Sequence, residues 1–416
     1  MSRGGMLDGC TVLDMSTLFA APLAATLLAD HGADVIKIEH PRGDDLRHWG
    51  PRKDGHALWW KVVNRNKRNL AIDLHHPAGQ EVVRRLAGTA DVLISNFRPG
   101  RLDAWGLGWS VLHELNPRLI LAEVTGFGQR GPYSGLPGFG TLAESMSGFA
   151  AVSGEQDGPP LLPPFGLADG IAGVTTAFAV AGALWARERS GVGVRIDTAL
   201  YEPLMWIVGS HLVEYDQLGI VQERMGNKVP QIVPRNAYRT SDNQWVALSG
   251  AAQAVTARLF AIVGRPDMVE DSRFATNAAR LRHRDEIDSI LGKWIGERTQ
   301  QEVVTALRQG DVAIAPIYDA THILADSHFR DRGSIVQVAD DDLGMLQMQG
   351  VFPVVDGRPG SVRWSGNSHI GADTTSILSG LGYSDAEIQA MHGQGAVAGS
   401  RPPASQEGEG RDDADR

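Results

Sequence analysis

Only one cysteine, Cys10, stands among the 416 residues, so no disulfide can form within the chain. That suits a reducing compartment. Cys10 adjoins an apolar run at 11–15 and reads as a small core residue rather than a nucleophile. Cations are in deficit: 39 Lys and Arg face 49 Asp and Glu, a net charge of −10. Such a balance argues against a nucleic-acid partner. The longest apolar stretch, 171–186, falls short of a membrane span of roughly 20 residues, and Gly and Thr interrupt it. The opening MSRGGMLDGC has no apolar segment of the kind a signal peptide carries. The expectation is a cytoplasmic protein with no membrane contact. P-loop, HExxH, CxxC and GxSxG patterns are missing. The adjacent pair His75-His76 ends a strand pattern and would point to opposite faces, so no metal site is expected. No repeat appears at solenoid periods.

The first third of the chain alternates strand and helix signals. TVLDMS reads as a strand, and Pro22 opens a small-residue helix that ends near Gly32. DVIKIE, LAIDL, DVLISNF and RLILAEVT read as further strands, with helices at 76–88 and 109–115 between them. Short apolar strands alternating with helices predict a parallel sheet covered on both faces, a Rossmann-like α/β domain. A buried helix is expected over 171–189, a strand at VRIDTAL and another helix over 201–218. The expected organisation is a large domain over 1–219, a linker at 220–236 and a smaller α+β domain over 237–315. A second linker at 316–332 and a segment at 333–398 follow, the latter returning to the large domain through the strands SIVQVAD, MLQMQGVF and SVRW. The Pro-, Ser-, Gly- and acid-rich tail, 399–416, reads as disordered.

GFGQRG at 126–131 matches G-x-G-x-x-G after a strand. A dinucleotide fingerprint needs a helix to open inside the glycines, and Pro132 follows at once. The glycines read as a loop that lets backbone approach a ligand. Arg42, Arg47, Arg98 and Arg101 each follow a strand, where ligands of open α/β sheets bind. Planar guanidinium groups suit phosphate, although solvated surface charges give the same pattern. Arg65, Lys67 and Arg68 cluster before a strand. In PPFGLADGIAG, 163–173, Asp169 is the single acid, at the start of an apolar helical run. It reads either as a helix N-cap or as a nucleophile, and the two roles are compatible.

Several motifs in this order and spacing, NRNKRNLAIDLHHPAGQE, DVLISNFRPGRLDAWGLGW, LNPRLILAEVTGFGQRGPY, SGEQDGPP and LADGIAG, resemble the class III CoA-transferases, the CaiB/BaiF family. The resemblance runs over about 7–397. It implies a Rossmann-like large domain and a small domain joined by two long linkers, in an interlocked homodimer. It places the catalytic aspartate on Asp169 and the CoA-contacting Asn-Phe pair on Asn96 and Phe97. Leu18, Phe19 and Ala20 fall along the pantetheine and thiol, and Arg42 and Ile72 join the CoA-binding set. Formyl-CoA transferase has glutamine where Phe19 stands and arginine where Ala104 stands; Arg98 or Arg101 would supply that charge here.

The implied reaction moves CoA from a donor acyl-CoA to a small carboxylic acid, through an aspartyl anhydride and an aspartyl-CoA thioester. CoA is then substrate, and no permanently bound cofactor is expected. α-Methylacyl-CoA racemase shares the fold and needs a histidine after the glycine-rich loop, where this chain reads Gly138-Phe139-Gly140. A non-catalytic CoA-binding protein is the other alternative. The segment PGFGTLAESMSGFA resembles members acting on short dicarboxylic acids, and Arg235 or Arg239 would then pair with a second carboxylate.

Overall fold

The computed structural model describes residues 5–250, 252–357 and 360–400, so residues 401–416 of the expected tail lie outside the described residues. The chain runs through β1 (Thr11–Met15), α1 (Ala20–Asp30), β2 (Asp34–Glu39), β3 (Lys67–Ile72), α2 (Pro77–Ala87) and β4 (Val92–Ser95). It continues through α3 (Trp109–Leu115), β5 (Ile120–Thr125), α4 (Gly140–Met146), α5 (Leu167–Ser190), β6 (Arg195–Ala199) and α6 (Tyr201–Val208). α7 (His211–Leu218), β7 (Arg235–Arg239), β8 (Trp245–Ser249), α8 (Gln253–Ile262), α9 (Arg284–Gly296), α10 (Gln300–Gln309) and β9 (Ile314–Pro316) follow. The hairpin β10 (Ile335–Asp340) and β11 (Gly344–Gln349), then α11 (Thr374–Gly380), α12 (Asp385–Gly393) and β12 (Val397–Ala398) complete it.

Two compact units divide these elements. The first holds residues 1–147, 163–209 and 330–416, and the second 148–162 and 210–329. In the first, seven strands run in the order β12-β3-β2-β1-β4-β5-β6. The six from β3 to β6 pair in parallel and β12 closes the edge antiparallel to β3. β4 and β5 are buried on both faces, as strands covered by helices must be, which explains their unbroken apolar runs. Between β1 and β4 the strand order reverses, so the loops leaving their carboxyl ends diverge around a crevice.

In the second unit β9, β8 and β7 form an antiparallel sheet beside α8, α9 and α10. Its own core includes Tyr238, Val246, Phe260, Phe274, Leu291 and Leu307. The expected hairpin turn is present, with Asn243 in the left-handed region at φ 61°.

Several expectations need correction. Residues 148–162 and 210–219, read as part of the large domain, belong to the second unit. The single helix expected over 201–218 breaks at Gly209, whose φ of 105° no helix accommodates. Residues 220–236, read as a linker, are tied within the second unit: Lys228 pairs with Asp285 at 3.0 Å and Arg284 donates to the Val229 carbonyl at 2.7 Å. The 316–332 connection carries two short helices, Ala320–Ala325 and Ser327–Asp331, the first capped by Asp319. SVRW is not a strand; its Trp364 instead donates to the Lys67 carbonyl at 3.1 Å. Gly399 and Ser400, assigned to the tail, are held, with the Ser400 hydroxyl oxygen accepting from Thr375 N at 3.0 Å. α1 begins at Ala20, before Pro22, since a proline in the first turn withholds an N–H that has no partner there.

α5 is longer than expected, 24 residues, and by length and composition alone would cross a membrane. It is not a wholly buried helix. One face packs on α1 and on β5 and β6, where Arg187 pairs with Asp91 at 2.7 Å. On the other face Phe178 and Trp185 stand exposed. Cys10 is half-buried, and burial followed by the Asp91 charge pushes its thiol up to about 12, which leaves it unreactive.

Candidate active site

The crevice at the strand reversal is built from the loops after β1 and β4. Asn96 clamps them together: its Oδ1 accepts from Thr17 N at 2.9 Å and its Nδ2 donates to the Thr17 carbonyl at 2.8 Å. Leu18 is held in the left-handed region at φ 64°, a conformation that costs a branched side chain energy and is kept only by its surroundings. Leu18 N donates to Asp44 Oδ1 at 3.3 Å. Asp44 pairs through its other oxygen with Lys37 at 2.7 Å, and the Lys37 ammonium donates to the Ser16 carbonyl. Asp14 and Lys67 pair at 2.8 Å beside them. Burial alone would push the Asp14 carboxyl up; Lys37 and Lys67 outweigh it and hold Asp14 below the usual carboxylate range. A buried ionic network thus underpins the loop from Ser16 to Phe19.

Asp169 reaches the same crevice from α5. It is not the cap of that helix. Gly166 is the N-cap and Asp169 the third helical residue, in the first turn, where the helix dipole favours a negative charge. The capping acceptor comes from elsewhere: Glu144 Oε1 accepts from Leu167 N at 3.0 Å and Ala168 N at 3.2 Å. Glu144 is 2% exposed, on α4. Two glycines make room for the aspartate. A Cβ at Gly140 would stand 2.3 Å from Asp169 Oδ2, and one at Gly166 would stand 3.0 Å from it. Among the described residues, no hydrogen bond or ion pair reaches the Asp169 carboxylate. Burial first, and the Glu144 charge second, push its carboxyl up to about 6. At neutral pH it is still mostly ionised, about nine parts in ten. An under-solvated carboxylate with free lone pairs is equipped for nucleophilic attack.

The cavity in front of Asp169 measures ≈ 660 Å³. Leu18, Phe19, Ala20, Asn96 and Arg98 line it with Asp169, and Trp49, Phe139, Phe165 and Leu200 add apolar surface to walls that also carry Thr125, Thr141 and Glu144. A neighbouring cavity of ≈ 430 Å³ contains Arg42, Ile72 and Phe97, together with His40, His75 and Trp105. Thr17 lies in the walls of both. Asp169 and all of the expected CoA-binding set but Arg101 therefore line one or other of two cavities that share Thr17. Arg101 lines neither cavity; its guanidinium lies 5.6 Å over the Trp105 ring. Asn96 is a clamp for the loop rather than a free ligand group, because both ends of its amide are bonded to Thr17.

Arg47 leaves the candidate set. It is buried, with Nε and Nη2 donating to Glu39 at 2.7 and 2.8 Å and Nη1 to the carbonyls of Asn367 and Ser368. Arg65 and Arg68 are likewise paired, with Asp30 and Asp34. Arg235 and Arg239 are the first and last residues of β7 in the second unit, and Arg235 donates to the Asn227 carbonyl at 2.8 Å. No cluster of potential metal ligands occurs among the described residues. Sequence reasoning missed Glu144, Gly140 and Gly166. The signal was present in GTLAE, a glycine and a glutamate four residues apart on one helix, but nothing local linked them to Asp169.

A carboxylate without a partner among the described residues, set at the switch point of a parallel sheet, is thus what this fold displays. Residues 7–374 match CoA-transferase family III. The succinyl-CoA–D-citramalate CoA-transferase of Chloroflexus aurantiacus is 41% identical over 362 residues, 86% of this chain and 90% of that protein. The beta subunit of the succinyl-CoA–L-malate CoA-transferase of the same organism is 38% identical, over 94% of this chain and 98% of that one. A crystal structure of a CaiB/BaiF family protein from Brucella suis superposes with a TM-score of 0.81 at 30% identity, covering 91% of this chain and all of the other. The chain belongs to CoA-transferase family III, and it is an enzyme of the CoA-transferase type.

Proposed function

We propose that this enzyme transfers CoA from succinyl-CoA to a short dicarboxylic acid by covalent catalysis on Asp169. An Asp169 oxygen attacks the thioester carbonyl. The C–S bond breaks, its electron pair leaves on sulfur, and a mixed anhydride joins Asp169 to the donor acyl group. The CoA thiolate then attacks the aspartyl carbonyl and expels the donor acid as its carboxylate, leaving Asp169 as a CoA thioester. The acceptor carboxylate attacks that thioester, and the thiolate it releases attacks the acceptor side of the new anhydride. Asp169 returns as a carboxylate, with no net proton and no change of oxidation state.

The observation that carries this reading is the Asp169 carboxylate itself, unpaired among the described residues and facing a cavity of ≈ 660 Å³. The aromatic and aliphatic part of the wall, Phe19, Trp49, Phe139, Phe165 and Leu200, suits an anhydride, which water would destroy. Backbone N–H groups of the glycine-rich segments near Gly138 and Gly166 are the donors for a tetrahedral oxyanion. In this reading Leu18, Phe19 and Ala20 lie along the pantetheine arm, with Asn96 holding their loop. Arg42, Ile72 and Phe97 receive the nucleotide end, and Arg98, or Arg101 from outside the two cavities, supplies a further positive charge for CoA. Proton transfer next to the thioester, the racemase alternative, lacks the histidine that would work with the aspartate, because Phe139 stands at its position. A binding protein without catalysis would not need a destabilised carboxylate. The dicarboxylate assignment draws on relatives that act on D-citramalate and L-malate.

We assign the enzyme to a reducing cytoplasmic setting as an interlocked homodimer, which would cover Phe178, Trp185 and Trp206, exposed by 78%, 69% and 83% in the single chain. The test is to incubate the protein with succinyl-CoA, trap with hydroxylamine and map the modified peptide by mass spectrometry. A hydroxamate on Asp169, lost in Asp169→Asn, is the expected result. Bound CoA with no adduct across a panel of acyl-CoAs would overturn the covalent route. Faster turnover of monocarboxylates than of D-citramalate or L-malate would overturn the acceptor class.

A further inference from the structure

We infer that Glu144 is a positioning residue for the nucleophile: it fastens the first turn of α5 and keeps a second negative charge beside Asp169 that acylation relieves. The inference rests on Asp169 being the nucleophile. Its geometry is independent of that reading. Glu144 is 2% exposed, and one of its oxygens accepts both Leu167 N and Ala168 N, the two backbone groups immediately before Asp169. The turn that carries the nucleophile is therefore tied to α4 through one side chain. Four residues earlier on α4, Gly140 has no side chain, and a Cβ there would lie 2.3 Å from Asp169 Oδ2. One short helix thus both opens the space for the nucleophile and fastens its backbone.

A neutral amide oxygen would cap the helix equally well, so the charge of Glu144 has a separate consequence. A buried carboxylate beside a half-buried one repels it, and the repulsion ends when Asp169 becomes an uncharged anhydride or thioester. The covalent state is favoured by that relief. A more basic carboxylate is also the better nucleophile and the poorer leaving group, so the mixed anhydride tends to release the donor acid rather than Asp169.

Other charges around Asp169 do not serve this role. Arg98 is the one other ionisable residue lining the cavity, from the segment after β4. On the elements packed against α5, Glu123 and Arg195 pair with each other, Asp197 accepts from Gln129 N, and Asp30 pairs with Arg65. Glu202 on α6 does not line the cavity.

The test compares wild type, Glu144→Gln and Glu144→Ala in CoA transfer from succinyl-CoA to D-citramalate between pH 5 and 9, with hydroxamate trapping on Asp169 in parallel. Glu144→Gln keeps an acceptor for the two N–H groups and removes the charge. Its acid limb in kcat/KM should move to lower pH by about one unit, and the trapped fraction of Asp169 should fall. Glu144→Ala loses the cap as well, and its kcat should fall about ten- to a hundredfold further, since the nucleophile is misplaced. An acid limb unmoved in Glu144→Gln, with hydroxamate still forming on Asp169, overturns this inference alone. Equal kcat in the alanine and glutamine variants overturns the fastening role. Should Glu144→Ala fail to fold, the limb of the glutamine variant decides. Absence of hydroxamate on wild-type Asp169 at every pH overturns the covalent reading and this inference with it.

Discussion

Replacing Asp169 by asparagine should stop turnover and at the same time make the protein more stable. Partial burial first, and the Glu144 charge second, push the carboxyl up from 3.8 to about 6. A gap of about two units corresponds to about 3 kcal/mol of penalty for holding the charge in place. The sign follows from the direction of the shift. A carboxyl raised in the folded state contributes its stability fully below about pH 4, and that contribution is lost as pH rises through about 6. At pH 8 the wild type therefore carries the whole penalty, and at pH 5 about half of it. Asparagine has nearly the same shape and no charge, but burying its amide without partners costs something as well. The net gain at pH 8 should be about 1–2 kcal/mol, or a few degrees in melting temperature. Thermal melts of wild type and variant at pH 8 and pH 5 test this, with CoA transfer measured on the same samples. No gain at pH 8, or an equal gain at both pH values, would refute the reasoning that the site stores strain as an under-solvated charge.

Two further substitutions probe the frame of the site. Gly140→Ala puts a methyl group within 2.3 Å of where Asp169 Oδ2 now lies, so the carboxylate must turn away. CoA transfer should fall about a hundredfold, and wild-type activity in this variant would contradict the close approach. Asn96→Ala removes both bonds to Thr17 and frees the loop that holds Leu18 at positive φ. Stability should drop by about 1–3 kcal/mol and the KM for succinyl-CoA should rise more than kcat falls; an unchanged KM would show that the loop does not shape the CoA site.

The central strands β4 and β5 were legible because they are buried on both faces and so appear as short, mostly apolar runs, whereas β6, RIDTA, is exposed at its start. DVIKIE and the helix at 109–115 have the ends expected of them. The helix at 76–88 was legible for a local reason, with Pro77 at its first turn and His76 as its cap. Where the reading failed, the deciding partner was remote. Arg47 has the sequence context of a ligand residue, yet its guanidinium is consumed by Glu39 and by carbonyls some 320 residues away. The SVRW strand failed because its residues satisfy loops around Asn66 and Lys67 instead of a ladder. The split of the 201–218 helix turned on one glycine whose conformation no local preference reveals.

The sequence by itself determined the alternation of strands and helices, the acidic charge, the lone cysteine and the single acid in PPFGLADGIAG, since these follow from local pattern and composition. Ordered motifs also pointed to the family. Only the tertiary structure decided that Asp169 is not the cap of its helix and that it faces a cavity. Whether a carboxylate caps a helix or attacks a thioester depends on what surrounds it, and its surroundings come from α4, from the loop after β1 and from the turn at Gly166. Burial and a neighbouring charge are properties of space, and residues 25 positions apart acquire them only when the chain has folded.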